Sequence, residues 1–196
     1  MMVRIAALVA AALLQAGCSQ SGSVSHSGMG TMMVTQGYAF APPAFYGFCA
    51  RQASLCSTRG GSKSVDLTPA LKAELKAVNE SVNRRIKERD DTGPGRHADT
   101  WSLPVAVGDC EDFAILKKAE LLKRGWPASA LLLTVATLGG EGHTVLTVRT
   151  DKGDLVLDNR TSAIKDWSRT PYRYFARQSQ SANGKWTRIR TSARVS

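Results

Sequence analysis

Gly108-Asp109-Cys110-Glu111-Asp112-Phe113-Ala114-Ile115-Leu116-Lys117-Lys118-Ala119-Glu120-Leu121-Leu122 is the stretch on which the reading of the fold turns. From Phe113 to Leu122 its composition and apolar spacing predict a helix. The helix ends at Lys123-Arg124-Gly125, with basic residues in the last turn, glycine as the stop and Pro127 beyond. Cys110 therefore sits at or beside a helix N-terminus, with Asp109, Glu111 and Asp112 around it.

Upstream, Asp66-Leu67-Thr68-Pro69 is a helix start, a capping side chain followed by proline at the first helical position. Leu71, Leu75, Val78, Val82 and Ile86 form one apolar stripe, so this helix should run to about Arg89. Asp90-Asp91-Thr92-Gly93-Pro94-Gly95 breaks it, and a loop with His97 and Trp101 leads to the cysteine. Downstream come three β-like runs, Leu131 to Leu138, His143 to Arg149 and Leu155 to Asp158. A Gly-Gly-Glu-Gly loop parts the first two, and Asp151-Lys152-Gly153-Asp154 parts the second pair as a hairpin turn would. Two helices followed by an antiparallel sheet predict an α+β domain, with the second helix packed on the sheet. Tyr172, Tyr174, Phe175 and Trp186 supply material for one or two further strands.

The 196 residues suffice for one compact domain with a leader and flexible ends. Met1-Met2-Val3-Arg4 and the apolar run Ile5 to Leu14 read as a secretory leader over 1–18, the apolar run being too short to span a bilayer. Ala16-Gly17-Cys18 resembles the end of a lipoprotein signal, with Gln15 where that signal usually carries leucine. Lipid attachment at Cys18 and simple cleavage nearby both remain open. Residues 19–37, rich in Ser, Gly, Met and Thr, are expected to be a disordered spacer. The aromatic and proline-rich segment Tyr38 to Cys56 is expected to pack as irregular structure at the start of a domain over 38–180, with a basic tail over 181–196.

The chain carries a formal net charge of +10. The basic residues are spread along it without aromatic-basic interleaving, so nucleic-acid binding is set aside in favour of a solvated basic surface that meets an acidic partner or an anionic envelope. In an exported protein, Cys49 and Cys56 are candidates for a disulfide closing a small loop, which leaves Cys110 unpaired. A monomer is the default expectation.

An unpaired cysteine at a helix start invites nucleophilic chemistry, because the helix N-terminus and a neighbouring histidine both favour the thiolate. His143 is the candidate base, since it opens a strand just after a glycine-rich loop. His97 lies in a polar loop and His26 in the spacer. A base of this kind needs a third group to hold its ring, and Asp158, at the end of Leu155-Val156-Leu157 across the hairpin, can serve. A simple Lys152-Gly153 turn would set Asp158 opposite Thr147, too far from His143, so the triad requires a bulge or another register. Taken singly, each residue has a structural reading: a buried thiol, a strand-start histidine, a turn-forming aspartate.

Gly108-Asp109-Cys110-Glu111-Asp112-Phe113-Ala114, His143-Thr144-Val145-Leu146 and Gly153-Asp154-Leu155-Val156-Leu157-Asp158-Asn159 resemble, in order, the three blocks of the bacterial transglutaminase-like cysteine proteinases, the family of the LapG-type periplasmic proteases. The resemblance extends roughly from Phe45 to Phe175. It implies a papain- and transglutaminase-like core in which Cys110 attacks a peptide carbonyl, His143 acts as base and then acid, and Asp158 orients it. It also implies Ca²⁺ held by Asp109 and Glu111, with Asp112 as a third ligand, where the residues alone fit carboxylates complementing the helix start. A periplasmic or cell-surface protein substrate, an adhesin among the options, and a membrane receptor that sequesters the protease follow from the same resemblance. Acyl transfer to an amine would use the same three residues, and a non-catalytic envelope-binding module would be expected to have lost one of them.

Overall fold

The alternation of the three β-like runs places them in one sheet, and the computed structural model, which describes residues 30–91 and 99–190, contains that sheet with four strands added. In chain order the elements are β1 (Thr35–Ala39), α1 (Pro43–Arg51), α2 (Ala53–Cys56), α3 (Pro69–Arg85), β2 (Lys87–Glu88), β3 (Val107–Gly108), α4 (Cys110–Lys123), β4 (Leu131–Leu138), β5 (Glu141–Thr150), β6 (Gly153–Asp158), β7 (Thr161–Asp166), β8 (Arg173–Gln178) and β9 (Trp186–Ile189). The main sheet runs β1-β9-β8-β4-β5-β6-β7, and every neighbouring pair in it is antiparallel. β2 and β3 form a separate parallel pair. The fold is α+β, as the order of elements predicts.

α4 is buried almost all round, from Glu111 through Ala119 and again at Leu121. It lies between the sheet and α3, and Leu131, Leu133, Leu146, Val148 and Leu157 of the sheet share its core with Leu75, Val78 and Val82 of α3. Each of these large side chains contributes about 1.5–3 kcal/mol of burial. The helix closes as its last residues predict: Gly125 takes φ +85° and the Trp126 N–H reaches back to the Leu121 carbonyl at 3.1 Å. A smaller cluster of Met33, Val145, Val156, Tyr172, Tyr174 and Ile189 covers the other face of the sheet.

The helix at Thr68-Pro69 forms as predicted, with the Thr68 hydroxyl accepting from the Leu71 N–H at 3.2 Å. It stops at Arg85 rather than Arg89. The Lys87 and Arg89 N–H groups bond to the carbonyls of Ala106 and Gly108 instead, each at 2.9 Å, and this short parallel pairing sets the backbone that enters Cys110.

The segment expected to be irregular contains α1 and α2. Pro43 opens α1 where a missing N–H is harmless, and Phe45 and Phe48 bury one face of it. Phe45 packs edge-to-face on Trp101 and Trp186, with ring centroids 5.8 and 5.2 Å away. Cys49 and Cys56 are disulfide-bonded, and Cys110 is the free cysteine among the described residues.

Two expected boundaries fall inside structured chain. Within the expected spacer, Met33 is buried and β1 begins at Thr35. Its entry is tied down by the Met33 N–H to Asp154 Oδ2 at 2.6 Å, and Asp154 is itself held by Arg149 and Arg177. Within the expected tail, β9 pairs with both β1 and β8 and buries Trp186. Neither strand has the apolar run by which a strand is recognised alone. The leader, Cys18, His26 and His97 lie outside the described residues. Among the described residues no helix is long and apolar enough to cross a membrane.

Candidate active site

Cys110 is the first residue of α4, half-buried, with Asp109 as its N-cap. Gly108 is needed before it: a Cβ there would stand 2.7 Å from Asp112 Cβ and 3.2 Å from Pro104 Cβ. The helix start meets β5 at one point, where the Thr144 N–H donates to Cys110 Sγ at 3.3 Å. His143 is the neighbouring residue on that strand and is buried.

The β5–β6 hairpin turns at Asp151-Lys152, pairing Thr150 with Gly153 and Leu146 with Leu157. Gly153 takes φ +116° there, and a Cβ on it would meet Gly30 Cα at 2.9 Å. Continuing this register sets Asp158 across from Val145, on the same face as His143 and one diagonal step away. The different register that the triad required is the one present. His143 Nε2 lies 2.9 Å from Asp158 Oδ1. His143 Nδ1 has no hydrogen bond among the described residues.

Asp158 is held from several sides. Its Oδ2 accepts from the Tyr172 hydroxyl, and its Oδ1 also accepts from the Arg160 N–H at 3.2 Å. Its backbone carbonyl accepts from Asn83 Nδ2 of α3 at 2.9 Å, and Asn79 and Asn83 both donate to the Thr161 carbonyl. Burial opposes ionisation of Asp158, but the bonds from His143 and Tyr172 outweigh it and hold the carboxyl below its ordinary range. The Tyr172 ring lies 4.9 Å from the imidazole, so one side chain both packs against His143 and bonds Asp158.

The acidic residues around Cys110 divide into two sets. Asp112 turns to the loop before the cysteine, accepting from the Ser102 N–H at 2.7 Å and the Ser102 hydroxyl at 3.1 Å. Its carboxyl is pushed up to about 6, chiefly by burial. Glu111 instead faces Asp99 and Asp109, and Cys110 Sγ donates to its Oε2 at 3.1 Å. Burial, together with Asp99 and Asp109, pushes the Glu111 carboxyl up to about 10. Burial and then Glu111 push the Cys110 thiol up as well, against the Thr144 N–H. Among the described residues no three Asp, Glu, His or Cys side chains are arranged to hold a metal ion. Asp109 Oδ1 is nevertheless buried without a partner among the described residues, beside two crowded carboxyls, a donor set whose chemistry fits a hard divalent cation.

The sequence matches the family model of the bacterial transglutaminase-like cysteine proteinases over residues 35–194. The chain belongs to this family. It is also similar to solved structures of Legionella pneumophila LapG. The calcium-bound form is 29% identical over 67% of this chain and 76% of that one, with a TM-score of 0.51. A second LapG structure is 31% identical over 62% and 71% of the two chains at a TM-score of 0.50, and the EGTA-treated form is 28% identical over 65% and 70% at 0.50. No curated protein matches the sequence.

The fold of the proteinase thus brings Cys110, His143 and Asp158 to one end of α4, and it places Asp99 beside Glu111 while Asp112, next to Asp109, accepts from Ser102. Sequence reading left Tyr172, Asn83, Thr144 and Asp99 without a role. Tyr172 had been noted only as an aromatic of the tail, and Asn83 is one polar residue on a helix. No spacing rule connects either of them to Asp158.

Proposed function

We propose that this cysteine proteinase is an exported endopeptidase in which Cys110 is the nucleophile, His143 its base and Asp158 the residue that orients the base. One junction carries the reading: at consecutive residues of β5, the Thr144 N–H meets Cys110 Sγ at 3.3 Å while His143 Nε2 meets Asp158 Oδ1 at 2.9 Å. The thiol proton passes to His143 Nδ1 as sulfur attacks the scissile carbonyl carbon. Ionised Asp158 steadies the imidazolium through Nε2–H, and backbone N–H groups at the start of α4 face the developing oxyanion. The C–N bond breaks as the leaving nitrogen takes the proton from His143. Water, deprotonated by the same ring, then hydrolyses the thioester.

Asp109 and Glu111 would hold calcium, with Asp99 beside Glu111 as a further carboxylate, in keeping with the calcium-bound and EGTA-treated forms of LapG. Bound there, the ion supplies positive charge to a cluster that otherwise opposes the thiolate. Asp112 is committed to Ser102 and would serve the approach loop. The leader signature and the family support a periplasmic or cell-surface protein as substrate, an adhesin among that class.

The test is mass-spectrometric mapping of Cys110 after brief alkylation from pH 5 to 9, with calcium and with EGTA, in the wild-type chain and in His143→Ala. Rapid labelling near pH 6 that needs both His143 and calcium is the expected result. Labelling only near the ordinary thiol pKa of about 8.5 under every condition would remove the nucleophile and with it the reading.

A further inference from the structure

A cleft of about 200 Å³, open to solvent, lies past Asp158. Asp158 and Tyr172 line it, but neither Cys110 nor His143 does, so it lies beside the reacting groups rather than over them. Leu138 and Pro171 give it apolar wall, and Arg160 and Lys165 stand on it as exposed side chains. Neither cation forms an ion pair among the described residues. The one carboxylate that lines the cleft, Asp158, already accepts from His143, Tyr172 and the Arg160 N–H. The cleft therefore presents two exposed cations with no ion pair among the described residues beside an apolar wall, its one carboxylate being bonded to His143 and Tyr172, in a volume that suits a single side chain.

The chemistry of the site orients this cleft. A base that returns its proton to the leaving amine must stand on the C-terminal side of the scissile bond, so the imidazole marks that side. Asp158 is the imidazole's partner on the face turned from the thiol, and the cleft begins at Asp158. An extended peptide advances about 3.4 Å per residue, so a chain running from the sulfur past the ring enters the cleft roughly two to four residues after the cut.

We propose that this cleft is a specificity subsite for an acidic side chain, Asp or Glu, roughly two to four residues C-terminal to the scissile bond. The assignment rests on the peptidase reading above and names the class of substrate segment that the site takes. Long side chains bearing single charges at a half-open cleft select by charge and tolerate either acid, so the preference is for acidity rather than for one residue type.

The test has two arms, both with calcium present. In the first, a proteome-derived peptide library is digested and the cuts are mapped by mass spectrometry. The wild-type chain, the Arg160→Gln/Lys165→Gln double variant and a control of equal charge change, Arg173→Gln/Arg188→Gln, are compared. Enrichment of Asp and Glu at those positions, lost in the cleft variant and kept in the control, is expected. In the second, binding of fluorescein-labelled hexaglutamate to Cys110→Ser is followed by anisotropy, with and without each pair of changes. The cleft pair should weaken it roughly threefold to tenfold, more than the control pair.

A cleaved library without acidic enrichment overturns the subsite, and if hexaglutamate still depends on the cleft, the site belongs to an acidic partner that is not cut. Binding that both pairs weaken equally also overturns it, since only the overall charge would then be at work. If the library is not cut while hexaglutamate binding depends on the cleft, the hydrolase reading fails and the acidic-peptide site stands.

Discussion

Asp158 is the residue on which the site depends most, because three donors converge on its carboxylate while α3 holds its backbone. Asp158→Asn keeps the shape but removes the charge that steadies the imidazolium. Turnover of a cleaved peptide should fall by roughly 10²- to 10⁴-fold, with the chain still folded by circular dichroism. Tyr172→Phe keeps the ring against His143 and removes only its bond to Asp158, so a loss of about tenfold or less is expected. The pH dependence has a definite sign. A carboxyl held below its ordinary value of 3.8 contributes stability that is present above that pH and lost as pH falls through the lower folded value. Denaturant titrations of wild type and Asp158→Asn should therefore differ most near neutrality and converge in acid. A gap that widens in acid would mean that Asp158 is not held ionised.

At the scale of the element, α4 begins at Cys110 and also buries two cations. Lys117 and Lys118 are both fully buried on it. Lys118 donates to the Ser57 carbonyl and to Gln178 Oε1, whereas Lys117 Nζ has no hydrogen-bond partner among the described residues and lies 5.6 Å from the Phe113 ring centroid. Burial lowers each ammonium to about 7, and for Lys117 the charge of Asp158 works against that shift. Between about 7 and the ordinary 10.5 the unfolded chain holds protons that the folded chain has released, so stability should rise with pH across that window. Lys117→Met should raise the melting temperature below pH 7 and remove about half of this rise, the rest remaining with Lys118. Thermal melts from pH 6 to 10 measure it, and an unchanged slope would show that Lys117 is not buried as a lone amine. The helix was legible in the sequence because its stop, at Lys123-Arg124-Gly125, is local chemistry. The end of α3 was not, because a contact with Ala106 and Gly108, far along the chain, outweighs the helical preference of the residues after Arg85.

Taken whole, the main sheet joins the two ends of the described chain along one side: β1 is its edge strand and lies beside β9, and β9 lies beside β8. A chain ending at Gln180 would lose β9, leave β8 with an open edge and take Trp186 from between Phe45 and Trp101. Losing a buried tryptophan alone costs about 3–5 kcal/mol, so the truncated chain should melt roughly 10 °C or more below the full one or be recovered insoluble. An unchanged melt would restore the boundary that composition implied. The sequence by itself determined the α+β class, the disulfide candidates and the order of Cys110, His143 and Asp158, since helix caps, strand alternation and motif order depend only on neighbouring residues. Only the tertiary structure decided the hairpin register that sets Asp158 within 2.9 Å of His143, the bond of Asp112 to Ser102 with Asp99 beside Glu111, and the place of Tyr172 against the imidazole. These depend on which distant groups share a buried space, where each polar atom must find a partner, and no local pattern encodes that.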